Sequence, residues 1–410
     1  MRYWSRRHGR IFEINIPLFG RSVVVSDPAL VRAVCTAGAE QLVNVQPNLS
    51  NWFGPGSVFA LDGGRHRERR RLLAQALHGQ SLENHQEVIE VETLRESANW
   101  PENKEFRTLE PMSRITLNVI LRTIFGTDEL VRAELEQLRE IIPPYMKLGQ
   151  LMAFLPAQPS WIARRGPWGK LEALRRAFDR VALTLIAHAA TDPGLGERVD
   201  ILALMVRGRQ DDGTVLPPQD ICDELLTLVG AGHETTATAL CWMFERLRRQ
   251  PDVLAELVRE IDEGGSDFRR AAIVEVLRAR TVIDVAGRRV DAPHFDVGEW
   301  RIQHGHTVLV RIADLHENPE IFVRPERFDP YRFCGTRPAA PTWLAFGAGV
   351  RRCIGAEFAM TEMDIVLRTV LQSFWIHTDA TAGEKSHFRG VAHTPRLGGR
   401  ITVHRRDRGS

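Results

Sequence analysis

Apolar and polar residues alternate at the start of the chain. Ile11, Phe12, Ile14 and Ile16 precede Pro17 and Gly20, and Val23 to Val25 follow. Period-two alternation bounded by turn residues predicts two strands. Asp27-Pro28 predicts the start of a helix, with Asp27 as its cap and Pro28 at the first helical position. Helical spacing dominates from about residue 65 to 248, with Pro and Gly breaks near 101, 143–144, 156–159, 166–169 and 193–196. Strand-like stretches return at 281–312, and a hairpin is expected around Pro395 to Gly399. There is no internal repeat and no long low-complexity linker. The expected organisation is one domain over 1–410, with a β-rich part at about 1–64, a helical body at about 65–280 and a mixed α/β part at about 281–410. The fold class is therefore mainly α with small β regions.

The pattern from about Pro218 to Arg248 predicts a helix on the order of 45 Å long. Its middle, LLTLVGAGHETTATALCWMF, is apolar nearly all round, so it should cross the protein interior. Gly230 and Gly232 each weaken such a helix by about 1 kcal/mol relative to alanine. Glu234 is a carboxylate that needs partners if it is buried. A plain core helix would avoid both costs, and breaks of local rules of this kind cluster at functional sites.

Composition narrows the reading. Of 410 residues, 43% are hydrophobic and 26% charged, with a net charge of +2, which excludes a disordered chain and gives no whole-protein case for nucleic acid. Five cysteines at 35, 222, 241, 334 and 353, without a CxxC spacing, argue against a disulfide framework or a structural zinc site, and a reducing cytoplasm fits best. The N-terminus is interrupted by Glu13, Asn15 and Pro17 and lacks a signal-peptide core. No run of 18 apolar residues predicts a membrane span.

The sharpest chemical segment is Phe346-Gly347-Ala348-Gly349-Val350-Arg351-Arg352-Cys353-Ile354-Gly355. Its glycines permit positive φ or close approach of backbone to something large and flat. Cys353 lies between Arg351–Arg352 and the start of a helix expected over Ala356 to Leu371, two features that favour thiolate. A thiolate on a Gly-rich loop, beside arginines able to hold carboxylates, suits heme iron with its propionates. A lone cysteine before a helix is usually inert core, but here the whole pattern FxxGxRxCxG is filled.

This segment resembles the heme-binding loop of the cytochrome P-450 superfamily, and the resemblance covers about residues 8 to 403. Further motifs occur in the family's order. Ala231-Gly232-His233-Glu234-Thr235-Thr236 is similar to the oxygen-activating segment of its central helix. Glu275-Val276-Leu277-Arg278 resembles its ExxR helix, and Pro325-Glu326-Arg327-Phe328 the arginine loop that completes a Glu–Arg–Arg network. His66 and Arg70 resemble an HxxxR pair that holds a propionate. Singly, most of these have bland readings. An i,i+3 Glu–Arg pair on a helix face is worth only about 0.2–0.5 kcal/mol, and Arg65, Arg67, Arg69, Arg70 and Arg71 could be a solvated basic face. Their joint order decides for the family.

The resemblance implies the family fold, with a long central helix over a heme b, and a monooxygenase that inserts one oxygen atom of O2 into a hydrophobic small organic substrate. It implies Cys353 as axial iron ligand, Glu234 and Thr235 as the proton-delivering pair, and Ala231 beside the oxygen site. His66, Arg70, Arg351 and Arg288 would contact the heme carboxylates, with Arg289 competing for the last place, and Phe346 would lie near the thiolate. No fused reductase is recognisable, so electrons are expected from a ferredoxin and an NAD(P)H-dependent ferredoxin reductase, docking on Arg65 to Arg71 and Arg352. Substrate-facing stretches are expected at Asn48 to Phe59, in the 140–190 helices and at Val282 to Val285. Asp284 departs from the family pattern: it points to solvent, pairs with an arginine such as Arg280, or faces the heme pocket to anchor a polar or cationic group of the substrate. His316-Glu317-Asn318-Pro319 also departs, lacking a usual arginine. A second reading, motivated by the departures, is a heme-thiolate binding or sensor protein without turnover.

Overall fold

The alternation at the N-terminus becomes a hairpin of strands Ile11–Ile16 and Gly20–Val25, with Ile11 opposite Val25. The second strand runs parallel to Thr307–Arg311, which pairs antiparallel with Val285–Val290, and Leu42–Asn44 closes a five-stranded sheet. Period two sends Val23, Val25, Val308 and Val310 to one face, where Val31, Val34 and Leu344 pack on them, and Val24 and Leu309 to the other with Phe12. Asp27 caps the helix Pro28–Thr36 as predicted, accepting from the N–H groups of Ala29 (2.9 Å) and Leu30 (3.2 Å). In this computed structural model the described residues are 7–406, apart from 18, 46–47, 78, 84, 128–130 and 153–165. The break expected at 156–159 lies outside them.

The chain divides into two compact units. One comprises Met1–Val43, Gln86–Thr116 and Glu234–Ser410, the other Asn44–His85 and Leu117–His233. The first holds the sheet, the helices Gln86–Ser97, Pro251–Asp262, Asp267–Ala279 and Ala356–Ser373, and the small C-terminal strands. The second holds the helices Gly63–Leu77, Leu117 to Phe125 of a helix that starts at Leu109, Arg132–Met152, Pro167–Thr191 and Ile201–Arg207. The central helix spans Pro218–Leu247, one residue short of the expectation, and contributes to both.

Two expectations need correction. Pro143 and Pro144 do not end a helix: Arg132–Met152 continues through them. Leu135, Leu138, Ile142, Tyr145 and Met146 are all buried on it, and that packing outweighs the local cost of proline, about 3 kcal/mol in a helix interior. The C-terminal hairpin lies earlier than expected, joining Ser386–Arg389 to Ala392–Pro395 around Gly390, whose φ of 70° suits the turn. The stretch after Pro395 instead leads to Arg400–Ile401, paired with Phe106–Arg107.

Candidate functional site

In the first unit the ExxR pair is wholly buried. Arg278 meets Glu275 bidentately, with Nε–Oε2 and Nη2–Oε1 both 2.7 Å and both side chains 0% exposed. Burying such a pair is tolerable only when its remaining donors and acceptors are satisfied. They are: Arg278 donates to the carbonyls of His316 (2.8 Å) and Arg327 (3.3 Å), and Glu275 accepts from the N–H of Asp329 (2.9 Å). The second arginine on Glu275 is Arg332, at 3.2 Å, whereas Arg327 is exposed and lends only its carbonyl. The expected role of Arg327 thus belongs to Arg332. The short helix Pro330–Phe333, capped by Asp329, turns that side chain inward.

His316 carries this network toward the cysteine loop. Its Nε2 accepts the N–H of Leu344 at 3.0 Å, which assigns the proton to Nδ1, facing the Thr281 hydroxyl at 2.9 Å. Complete burial and the nearby Arg278 charge push its pKa down to about 3, so it stays neutral and can accept. The sequence drew notice here only for a missing arginine, and the histidine that anchors the loop went unread.

From Leu344 the chain turns through Gly347 and Gly349, at φ 66° and 64°, into a 3-10 turn at Gly349–Arg351. A Cβ on Gly349 would overlap the Cys35 carbonyl, so glycine is required there. The N–H of Cys353 donates to the Phe346 carbonyl at 2.8 Å, closing the loop, and the helix Ala356–Ser373 begins three residues on. Cys353 is exposed, and beside it a Cβ on Gly355 would meet nothing within 4 Å. Arg351 is half-buried, as is Phe346, whose ring meets Trp343 edge-on at 5.8 Å. Arg288 and Arg289 occupy alternate sides of their strand. Arg289 lies 3.8 Å from Asp291, while Arg288 hydrogen-bonds the Gly287 carbonyl and exerts its charge on Cys35. An accessible thiol on a closed, glycine-shaped loop, with open space at Gly355 and arginines in the same unit, fits a heme with its carboxylates.

Asp284 pairs with Arg311 and with His393 Nε2 (3.1 Å), not with Arg280. Burial would raise its pKa, but these partners outweigh it and hold it down at about 2. Arg280 instead stacks over the Trp242 ring at 5.0 Å.

In the second unit the helix Gly63–Leu77 buries His66, Arg69, Leu73, Ala76 and Leu77 along one stripe. Arg70 is half-buried one turn after His66. The basic run is not uniform: Arg65 and Arg67 are exposed and Arg71 pairs with Asp211, but Arg69 is buried against Glu224. Arg69 is therefore no part of a docking face.

Along the central helix every residue from Ile221 to Gly230 is buried, and burial resumes at Thr236. Between them Ala231 is exposed and Gly232, Glu234 and Thr235 are half-buried, so one short face opens. His233, on the other side, is buried, and desolvation lowers its pKa to about 4. Gly230 has a packing reason: its Cβ would fall 2.6 Å from the Phe53 ring. Gly232 is less constrained, with Ile120 at 3.2 Å from such a Cβ.

Similarity to known proteins agrees with this arrangement. The match to the family described as cytochrome P-450 covers residues 1–400. A Mycobacterium tuberculosis protein with the provisional name cytochrome P-450 138 is 53% identical over 401 residues, 98% of this chain and 90% of that protein. Another from the same organism, provisionally cytochrome P-450 135B1, is 36% identical over 407 residues, 97% of this chain and 85% of that one. The solved structure of a retinoic acid-bound cyanobacterial CYP120A1 superposes with a TM-score of 0.86, covering 98% of this chain and 93% of that chain at 22% identity, a likeness of fold. The small sheets and long central helix agree with that fold, and among the described residues no helix is long and apolar enough to cross a membrane. On this identity and coverage the chain belongs to the cytochrome P-450 family, monooxygenases whose cofactor is heme b.

Proposed function

We propose that this protein is an external monooxygenase that inserts one atom of O2 into a hydrophobic small organic substrate, taking electrons from a ferredoxin served by an NAD(P)H-dependent reductase. The observation that carries the reading is the opening in the central helix. Ala231, Glu234 and Thr235 share one accessible helix face in a segment otherwise buried on both sides. Binding a heme alone needs neither the carboxylate nor the hydroxyl.

Thiolate-ligated heme supplies O–O bond cleavage when bound. The chain's own groups hold and serve it. Cys353 is the iron ligand in this reading, with Phe346 packed near its sulfur. His66, Arg70, Arg288 and Arg351 offer charge-assisted hydrogen bonds to the propionates. Glu234 takes protons from water, and the Thr235 hydroxyl donates one toward the reacting oxygen. The methyl side chain of Ala231 leaves room on the same face. Exposed Arg65 and Arg67 suit an acidic ferredoxin by charge, where Arg69 does not.

Thr235→Ala should keep the heme spectrum and raise hydrogen peroxide formed per NAD(P)H several-fold, as electrons leave without proton-coupled turnover. Unchanged peroxide yield would remove Thr235 from the mechanism. Reduction of the protein by NAD(P)H without ferredoxin and reductase would refute the separate electron supply.

A further inference from the structure

The second unit contains a loop fastened to the central helix far more closely than its sequence suggests. Residues 52–58 run from the end of the short helix Ser50–Phe53 through a Gly-Pro-Gly bend, yet side chains from four helices hold their backbone. From the central helix, Asp223 accepts the N–H of Gly56 at 2.8 Å and Glu224 Oε2 that of Val58 at 2.9 Å. Thr227 donates to the Ser57 hydroxyl at 2.8 Å. Arg69, from Gly63–Leu77, donates to the Gly56 carbonyl at 2.6 Å and to Glu224 Oε2 at 2.9 Å. Arg175, from Pro167–Thr191, donates to the Phe53 carbonyl at 2.9 Å and also meets Asp223. Tyr145, from Arg132–Met152, donates to the Trp52 carbonyl at 2.5 Å. The bend is so close that a Cβ on Gly56 would come 2.7 Å from the Asp220 Cα. At its near end Phe53 rests on Gly230, one residue before Ala231.

One member of this hold is incompletely satisfied. Glu224 is 0% exposed and its Oε1 is buried with no hydrogen-bond partner among the described residues. The groups facing it are Arg69, at hydrogen-bond distance, and on its own helix Asp223 and, through Arg69, Asp220 at 3.4 Å. The loop contributes the Val58 N–H and no titratable side chain, and Arg175 reaches the cluster only through Asp223.

We propose that Glu224 is a positioning residue whose proton keeps loop 52–58 seated on the central helix beside Ala231, and that ionisation of Glu224 lets the loop lift. With the proton on Oε1, Oε2 still accepts from Val58 and Arg69, and no net charge is buried on the carboxyl. Ionised, the group is shielded by one arginine only, and lifting the loop lets water solvate it. Burial, only partly offset by Arg69, pushes its pKa up to about 7, while a solvated glutamate ionises near 4.5. The seated form thus binds the proton more tightly than the lifted form, so lifting is favoured as pH rises across that interval and levels off above about 7. The bearing of this on ligand entry next to Ala231 rests on the monooxygenase reading, whereas the hold itself does not.

Hydrogen–deuterium exchange of the heme-loaded protein at pH 5.5 and 7.5, corrected for intrinsic rates, reads the hold at the Gly56 and Val58 amides. Wild-type protection should fall by about tenfold or more over this range, the change that linkage gives for the two ionisation points. In Glu224→Gln, which keeps an acceptor and cannot ionise, protection should not change. Should that variant fail to fold, Arg69→Met/Glu224→Leu must show the same flat profile at the Gly56 amide, whose acceptor Asp223 it keeps. Equal pH dependence in wild type and variant, or none in wild type, overturns the proposal. Exchange requires no turnover, so its outcome is separate from the spectral test of the heme-thiolate reading.

Discussion

Among the described residues, two glutamate–arginine pairs have both side chains buried, one in each unit, and they are built differently. Glu275 and Arg278 meet through two bonds of 2.7 Å, and Asp329 N–H and the carbonyls of His316 and Arg327 take up their remaining hydrogen-bonding capacity, with Arg332 adding a charge 3.2 Å from Glu275. Arg278 also lies 5.1 Å over the Phe322 ring. Glu224 and Arg69 meet through one bond of 2.9 Å, and Glu224 Oε1 is left without a partner among the described residues. A buried ion pair holds its form only when every neighbour agrees on it. The first pair is fixed in this sense and supports the loop that ends at Cys353. The second retains an exchangeable proton and supports a loop that can yield.

Replacing each pair by apolar residues of similar volume should separate the two most strongly. Glu275→Leu/Arg278→Met should lose about 3–5 kcal/mol, because Asp329 N–H and two carbonyls lose their partners in the interior. Arg69→Met/Glu224→Leu should cost less, about 1–3 kcal/mol, because the unpaired Gly56 carbonyl and Val58 N–H are partly offset by removing the desolvation cost of an imperfect pair, and the loop can yield to solvate them. Urea midpoints of the heme-loaded variants measure both, and equal losses would erase the distinction.

The two pairs should also differ in their response to pH. Folded Glu224 ionises near 7 against 4.5 for the ordinary group, so the folded state binds more protons between those values. Wild-type stability relative to Glu224→Gln should therefore decline as pH rises from about 4.5 and level off above about 7, by about 3 kcal/mol in all. A difference independent of pH would show that Glu224 does not carry the proton.

Asp284 gives the opposite sign and the smallest effect. Its pKa is held at about 2, so its pairing with Arg311 and His393 stabilises the fold above about pH 4 and is lost as pH falls toward 2. Asp284→Asn should cost about 1–3 kcal/mol at neutral pH and much less in acid. Thermal unfolding at pH 7 and pH 3 checks this. Tighter binding of apolar ligands by the variant, with stability unchanged, would instead return Asp284 to the substrate side.

The central helix was legible almost to the residue because its apolar run and its chemical hexapeptide agree. The Asp27 cap and the first two strands were legible for the same local reasons. What escaped was set by tertiary packing. Pro143–Pro144 reads as a break until the buried face of its helix is seen. Arg327 and Arg332 are alike in sequence, and only the fold of Pro330–Phe333 turns the latter inward. Arg69 is lost within a basic run until the carboxylates of Asp220 and Glu224 come to face it. The Asp223–Glu224 pair did leave a signal: two acids at the head of an apolar helix must find partners. His316 left almost none, since its role depends on an N–H 28 residues away.

Cys353 is the ligand this loop presents in the heme-thiolate reading. The absorption spectrum of the dithionite-reduced, CO-bound protein tests that directly. Wild type should show the Soret band of a thiolate-ligated heme, and Cys353→Ala should lose it while keeping the fold. A histidine-type band in wild type, or a thiolate band that survives in Cys353→Ala, would contradict the assignment.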